Sequence, residues 1–245
     1  MKRVFPILAV LTGLLLAYSF YEAIWVAPME RTMGDVQRIF YYHVPSAWTA
    51  FLLFFVNLVA SVIYLIRKNA KADAVAVVSA EVGVVFCTVV LVTGPIWARP
   101  VWGIWWTWDL RLTTTLVLWL IYVSYLMLRR FSDSSQTPKL AAVLAIFGAL
   151  DVPLVYFSIW FFRTQHPQPV IGGGGSIDPR MLHVLLINWL AFSCFAFLLS
   201  WARYRLEWLQ REVEEAQALE SLLGDGLAAP TRAPLDKTSS RTGPQ

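Results

Sequence analysis

Residues able to do chemistry are few in this chain and they cluster. Of 245 residues only three are histidine, His43, His166 and His183. Four tryptophans, Trp102, Trp105, Trp106 and Trp108, fall within seven positions, with Asp109 next to them and Arg99 and Arg111 on either side. Imidazoles are common axial donors to a porphyrin iron, flat aromatic side chains suit its macrocycle, and arginines suit its propionates. Each residue also has a plainer reading. A lone interfacial histidine can simply bond a loop carbonyl, and tryptophan often anchors a loop at the lipid headgroups. The two cysteines, Cys87 and Cys194, form no CxxC pair, which argues against thiol redox chemistry; without CxxCH the chain is not itself a c-type cytochrome.

The elements that must position these groups are set by composition. The chain is 58% hydrophobic and only 15% charged, well below the charged share of soluble domains. Six apolar blocks are long enough to cross a hydrocarbon core: about Val4 to Val26, Tyr42 to Ile66, Ala74 to Trp97, Leu112 to Leu128, Leu140 to Phe162 and Met181 to Trp201. Runs of this length read as helices, whereas a membrane barrel would show shorter alternating segments. The expected fold class is an all-α integral membrane protein with a bundle of six transmembrane helices. The first block is long and lacks a clear small-residue cleavage site, so it reads as a retained helix rather than a signal peptide.

A net charge of +4 would invite a nucleic-acid reading in a soluble protein, but here the basic residues sit beside span ends and set orientation. Lys2, Arg3, Arg67, Lys68, Lys71, Arg129, Arg130, Lys139, Arg203 and Arg205 fall on one side, against six arginines on the other. The bias places both termini in the cytoplasm. Residues about 27 to 42, 98 to 111 and 163 to 180 are then outside, the second being a Trp-rich outer loop. All three histidines lie in or at the edge of these outer segments, which shifts the balance toward ligation.

Residues 1–203 are expected to form the transmembrane domain, with the tryptophan segment at about 97–113. Residues 204–223, rich in Glu, Arg, Leu and Ala, suit a charged cytoplasmic helix, and 224–245 read as a disordered tail. No convincing repeat relates the two halves, which weakens a transporter built on inverted repeats. Proline 45 after His43 places that histidine at the mouth of the second span, and Ser176-Ile-Asp178-Pro179 reads as a helix cap about one turn before His183. If the tryptophan segment is helical, Trp102, Trp105, Trp106 and Asp109 share a face, forming a shelf for a flat ring, and Trp108 points elsewhere. Glu81 and Asp151 are costly ionisable residues inside spans and are either pathway groups or groups satisfied by a neighbouring helix.

The run Trp102-Gly-Ile-Trp105-Trp106-Thr-Trp108-Asp109-Leu-Arg111-Leu-Thr113 resembles the WWD signature of haem-handling proteins in cytochrome c maturation. With six spans, the run Ile39-Phe40-Tyr41-Tyr42-His43-Val44-Pro45-Ser46-Ala47-Trp48 and the Ser176 to Pro179 segment, the chain resembles the CcmC family over roughly residues 1 to 200. The resemblance implies haem b bound at the periplasmic face of the inner membrane and delivered to the haem chaperone CcmE, together with the CcmA and CcmB transporter subunits and CcmD. It implies His43 and His166 as axial iron ligands, with Trp102, Trp105, Trp106, Trp108, Asp109, Arg111 and Arg99 around the haem. Arg111 is the first choice for a propionate, ahead of Arg99 and Arg38. One departure from the family pattern stands at the last loop, where His166 is followed by Pro167-Gln168-Pro169 rather than Gln-Gly, leaving His183 as the reserve ligand. The expected role is binding and transfer, not catalysis. The alternatives are a membrane b-type cytochrome serving a quinone, or a transmembrane haem transporter.

Overall fold

The computed structural model describes residues 4–132, 134–162, 164–169 and 177–227. Six of its helices are long and apolar enough to cross a membrane, and the protein is a multi-pass membrane protein. They are α1 (Val4–Tyr21), α2 (Phe40–Arg67), α3 (Ala70–Trp102), α4 (Leu110–Phe131), α5 (Thr137–Phe161) and α6 (Pro179–Leu227). A π-helical turn, Glu22–Val26, prolongs α1, and a 3₁₀ turn, Asp35–Ile39, leads into α2. Every helix lies over a block expected from hydropathy, but most run past it, because capping rather than apolarity decides where a helix stops.

Between α2 and α3 the chain reverses at Lys68, which takes a left-handed conformation (φ 52°) and donates its N–H to the Tyr64 carbonyl at 2.8 Å. The Asn69 side chain then accepts from Lys71 N at 2.8 Å and caps α3. At its far end α3 stops at Gly103, whose positive φ of 79° lets its N–H reach the Arg99 carbonyl at 3.0 Å. Asp109 begins α4, its side chain accepting from Leu112 N at 3.0 Å. Pro179 opens α6 in the first-turn position that tolerates a missing N–H, just after Asp178, whose carbonyl and side chain take the first amides. Ser176, the cap expected from sequence, lies outside the described residues, as do Gly172 to Gly175. Pro45 stands inside α2 rather than at its start.

The chain divides into two compact units, Met1–Glu207 and Trp208–Gln245, the division falling within α6. In the first, α2 packs on α3 and α4 on α5, and the pairs meet where Phe54 stacks on Tyr122, with ring centres 3.9 Å apart. Both rings are fully buried. Glycines let the backbones come this close: a Cβ on Gly83 would stand 2.7 Å from the Phe54 ring, and one on Gly148 would stand 2.8 Å from Ile121 and 3.2 Å from Tyr122. A second apolar cluster joins Ala23 and Ala27 to Tyr41, Val184 and Leu185, bringing the start of α6 against the start of α2.

Two ion pairs mark one end of this bundle. Asp73 in α3 and Arg129 in α4 form a largely buried fork with both N···O distances 2.7 Å. Glu81 pairs with Arg203 at 2.8 Å, so its charge is met by a neighbouring helix. Asp151 keeps one buried carboxylate oxygen without a hydrogen-bond partner. The start of α2, the end of α3, the start of α4 and the chain leaving α5 converge at the opposite end.

Candidate functional site

All three histidines lie toward that opposite end, His183 near the start of α6. His43 is in the first turn of α2, and His166 lies in the segment after α5. Their rings are 6.5 Å apart, centre to centre, and inclined by 35°. His183 is exposed on α6 and has no ring contact with either. Only two histidines are therefore brought together.

Each ring is held through the same nitrogen. His43 Nδ1 lies 2.9 Å from Thr93 Oγ1 of α3. The Thr93 hydroxyl already donates its hydrogen to the Val89 carbonyl at 2.6 Å, so toward the ring it can only accept. The His43 proton is thereby fixed on Nδ1. His166 Nδ1 lies 2.9 Å from the Pro167 carbonyl, an acceptor only, so it too must carry the proton. In both rings Nε2 is left with a free lone pair, the form in which imidazole ligates a metal while its other nitrogen is oriented by an outer partner.

Burial first, and charge second, keeps the His166 ring neutral. Burial, followed by the charge of Arg111, pushes the His166 imidazole down to about 3, against the pull of its bond to the Pro167 carbonyl. Arg111 itself, in the first turn of α4, has a buried Nη1 without a hydrogen-bond partner among the described residues. The buried indole N–H of Trp106 is likewise unpartnered. Buried donors are rarely left unpaired, so these two invite an acceptor that is not part of the protein.

Asp109 is engaged differently. Beyond capping α4, it accepts through Oδ2 from the Thr164 hydroxyl at 2.8 Å and from the Thr107 hydroxyl at 3.3 Å. Arg99 donates to the Gly103 carbonyl within its own helix end. Arg38 pairs with Asp35 at 3.0 Å and donates to the Ala23 carbonyl at 2.9 Å, fastening the turn before α2 to the turn after α1. Among the arginines considered from sequence, Arg111 is thus the one with an unused buried donor.

The tryptophan segment is not one helix. Gly103 ends α3 directly after Trp102, and residues 103–109 are non-helical, so the single shared face imagined for Trp102, Trp105, Trp106 and Asp109 does not form. Trp102 packs edge-on to Trp97 at 5.2 Å, and Trp106 edge-on to Trp108 at 5.8 Å. Trp105 and Trp108 are exposed, by 59% and 76%, and offer their faces outward. A cavity of 510 Å³ opens nearby at the end of α5, lined by Ile159, Trp160, Phe161, Phe162, Thr164 and Gln168.

These residues suit haem better than a bare metal ion. No group of three or more His, Cys, Asp or Glu able to hold a metal occurs among the described residues. Two imidazoles brought this close, however, are the donor types of an axial pair. Two metal–nitrogen bonds of about 2 Å each, with the half-widths of the two rings, span about 6 Å, close to the 6.5 Å observed. Exposed indoles supply apolar surface and Arg111 an uncommitted cation.

Comparison with known families decides the relationship. The family described as Heme exporter protein C matches residues 1–219. The chain belongs to this family. Among individual relatives, Heme exporter protein C of Bradyrhizobium diazoefficiens is 36% identical, with 89% of this chain and 84% of that protein aligned. The Escherichia coli K12 member of the same name is 34% identical over 79% of this chain and 77% of its own length. A putative cytochrome c biosynthesis ccmC-like mitochondrial protein of Marchantia polymorpha is 35% identical over 75% and 78%, respectively.

Sequence reasoning missed Thr93 and Thr164, which orient the paired histidines or their backbone. Thr93 is followed by Gly94 near the end of an otherwise apolar span, and that polar and small pair was the available signal.

Proposed function

We propose that this protein binds haem b between His43 and His166 and hands it on for cytochrome c maturation. The observation that carries this reading is the pair of imidazoles 6.5 Å apart, each bonded through Nδ1 to an oxygen of the protein. The relatives' names, which speak of haem export and cytochrome c biosynthesis, support the same role.

In this reading His43 and His166 would hold the iron, Arg111 and the Trp106 N–H would pair with the propionates, and Trp105 and Trp108 would lie against the macrocycle. Bound haem would supply the iron that these imidazoles hold. Thr93 and the Pro167 carbonyl hold the Nδ1 protons, so each ligand is presented already in its binding tautomer. Nothing in this arrangement requires a bond to be made or broken in the polypeptide, and the role is one of binding and transfer.

The basic residues of the α2–α3 and α4–α5 connections lie at the end away from the histidines, which under the positive-inside rule supports a haem end facing the periplasm and both termini in the cytoplasm. The receiver is then a periplasmic haem chaperone, CcmE, with CcmA, CcmB and CcmD as membrane partners. Absorption spectra of the detergent-purified protein supplied with haem, oxidised and reduced, test the reading. Native protein and His183→Ala should give the same six-coordinate spectrum, and His43→Ala and His166→Ala should lose or alter it. A native chain that takes up no haem would overturn the proposal.

A further inference from the structure

The carboxylate in the middle of the tryptophan signature is turned away from the role its position suggests. Asp109 Oδ1 accepts from the Leu112 amide at 3.0 Å, and Oδ2 accepts from the Thr164 hydroxyl at 2.8 Å. Thr164 lies 55 residues further on, beyond the whole of α4 and α5. Having given its only hydrogen to Asp109, the Thr164 oxygen is left to accept, and it does so from the backbone N–H of His166 at 3.1 Å. A continuous chain of hydrogen bonds therefore runs from the first amides of α4 through Asp109 and Thr164 to the backbone of His166.

Resting on the reading that His166 ligates iron, we infer that Asp109 and Thr164 form a latch that holds the His166 segment in register with α4, and that Asp109 is a positioning residue rather than a haem contact. The need for such a latch follows from where the two histidines stand. His43 is carried by a helix and braced by a second one through Thr93. His166 belongs to a non-helical segment, and among the described hydrogen bonds its ring is tied to the carbonyl of the next residue, which moves with it. Among the described hydrogen bonds, the Asp109–Thr164 link is what joins this segment to a helix end. That helix end also carries Arg111, two residues on, so one link sets His166 relative to the cation beside it. The charge matters as well: a carboxylate accepts from both Thr164 and the helix amide, and charge-assisted bonds of this kind are about twice as strong as neutral ones.

The experiment uses the full-length protein in detergent, titrated with haem, with the spin state read from absorption and electron paramagnetic resonance. Thr164→Val leaves the Oδ1 cap of α4 intact and removes the link alone. It is expected to convert the six-coordinate low-spin spectrum into a mixture with a five-coordinate high-spin form and to weaken haem binding about tenfold, as loss of an outer partner of a metal ligand typically does. Thr164→Ser keeps the hydroxyl and should restore the native spectrum, an outcome a merely structural role would not produce. Thr107→Val, removing the longer bond to the same oxygen, should leave the spin state unchanged. Asp109→Asn can still cap α4 through its amide oxygen and should shift the spin state in the direction of Thr164→Val.

If His166→Ala loses the low-spin form while Thr164→Val and Asp109→Asn keep the native spectrum and affinity, the latch is overturned and His166 ligation stands. A native spectrum in His166→Ala itself would overturn the ligand assignment on which the latch rests.

Discussion

Replacing Thr93 with valine asks how far one hydroxyl governs the haem end. Valine keeps the branched shape and puts a methyl where Oγ1 accepted from His43 Nδ1 at 2.9 Å. The Val89 carbonyl loses a second donor but stays in the backbone ladder of α3, so the helix should be unharmed. The imidazole then has two options. It can keep its Nδ1 proton against a methyl, leaving a buried donor unsatisfied at a cost of about 1–3 kcal/mol. Alternatively it can move the proton to Nε2, the position that must be free to bind iron. The free protein relaxes by the second route, and haem binding then bears the penalty of returning to the first form. At about 1.4 kcal/mol per tenfold change, affinity should fall roughly 10- to 100-fold. Haem titration followed by the Soret band measures this directly, with Thr93→Ser as the variant that keeps the acceptor. A Thr93→Val protein that binds within twofold of native, with an unchanged spectrum, would refute the argument that Thr93 sets the His43 tautomer.

Other perturbations follow from the same geometry. The His166 imidazole is held down to about 3, below the ordinary value near 6.5, so the native state prefers its neutral form. Its contribution to stability is present above pH 6.5 and is lost as pH falls from there toward 3, and its ligating form persists throughout that window. The low-spin spectrum should therefore hold from pH 7 to pH 5; a transition centred at 6.5 would mean an imidazole in ordinary solvent. Arg111→Lys replaces a planar fork with a point charge beside the histidines and should weaken haem binding about 10- to 100-fold, corresponding to a charge-assisted bond of about 1.5–3 kcal/mol; equal affinity would remove Arg111 from the propionate role. Asp73→Ala leaves the Arg129 guanidinium buried without its fork and should cost about 3–5 kcal/mol of stability. Thermal unfolding in detergent should show a clear drop, largely recovered in Asp73→Ala/Arg129→Met, and a single variant as stable as native would contradict the burial of that pair.

The six spans were legible because the membrane imposes a length on any crossing helix, and length is visible in a row of apolar residues. Helix ends were less so. Hydropathy fades gradually, whereas α3 runs on through Arg99 and Pro100 to the residue before Gly103, where a left-handed backbone becomes available. The tryptophan segment was misjudged for that reason: a glycine directly after Trp102 was a stop signal inside the supposed shelf. Asp109 carried the mark of a helix cap, and its place beside the tryptophans drew notice away from that structural role. His43 and His166 could be named by type and by family likeness, but their 6.5 Å approach depends on elements 120 residues apart and is not local information. Thr93 was hardest to find, because a threonine bonding to its own helix four residues back looks the same as Thr88 or Thr114, which do likewise.

The Phe54–Tyr122 stack, with Gly83 on one flank and Gly148 on the other, has a consequence for divergence within the family. A methyl at position 83 would overlap the Phe54 ring and one at 148 would overlap Ile121 and press on Tyr122, and neither ring has free space to retreat into. The five positions therefore behave as a single quantity of volume shared between two helix pairs. A relative carrying alanine at the place of Gly83 should have a smaller side chain than phenylalanine at 54, and one that enlarges 148 should trim 121 or 122. Drift at any one of them is permitted only in company with another.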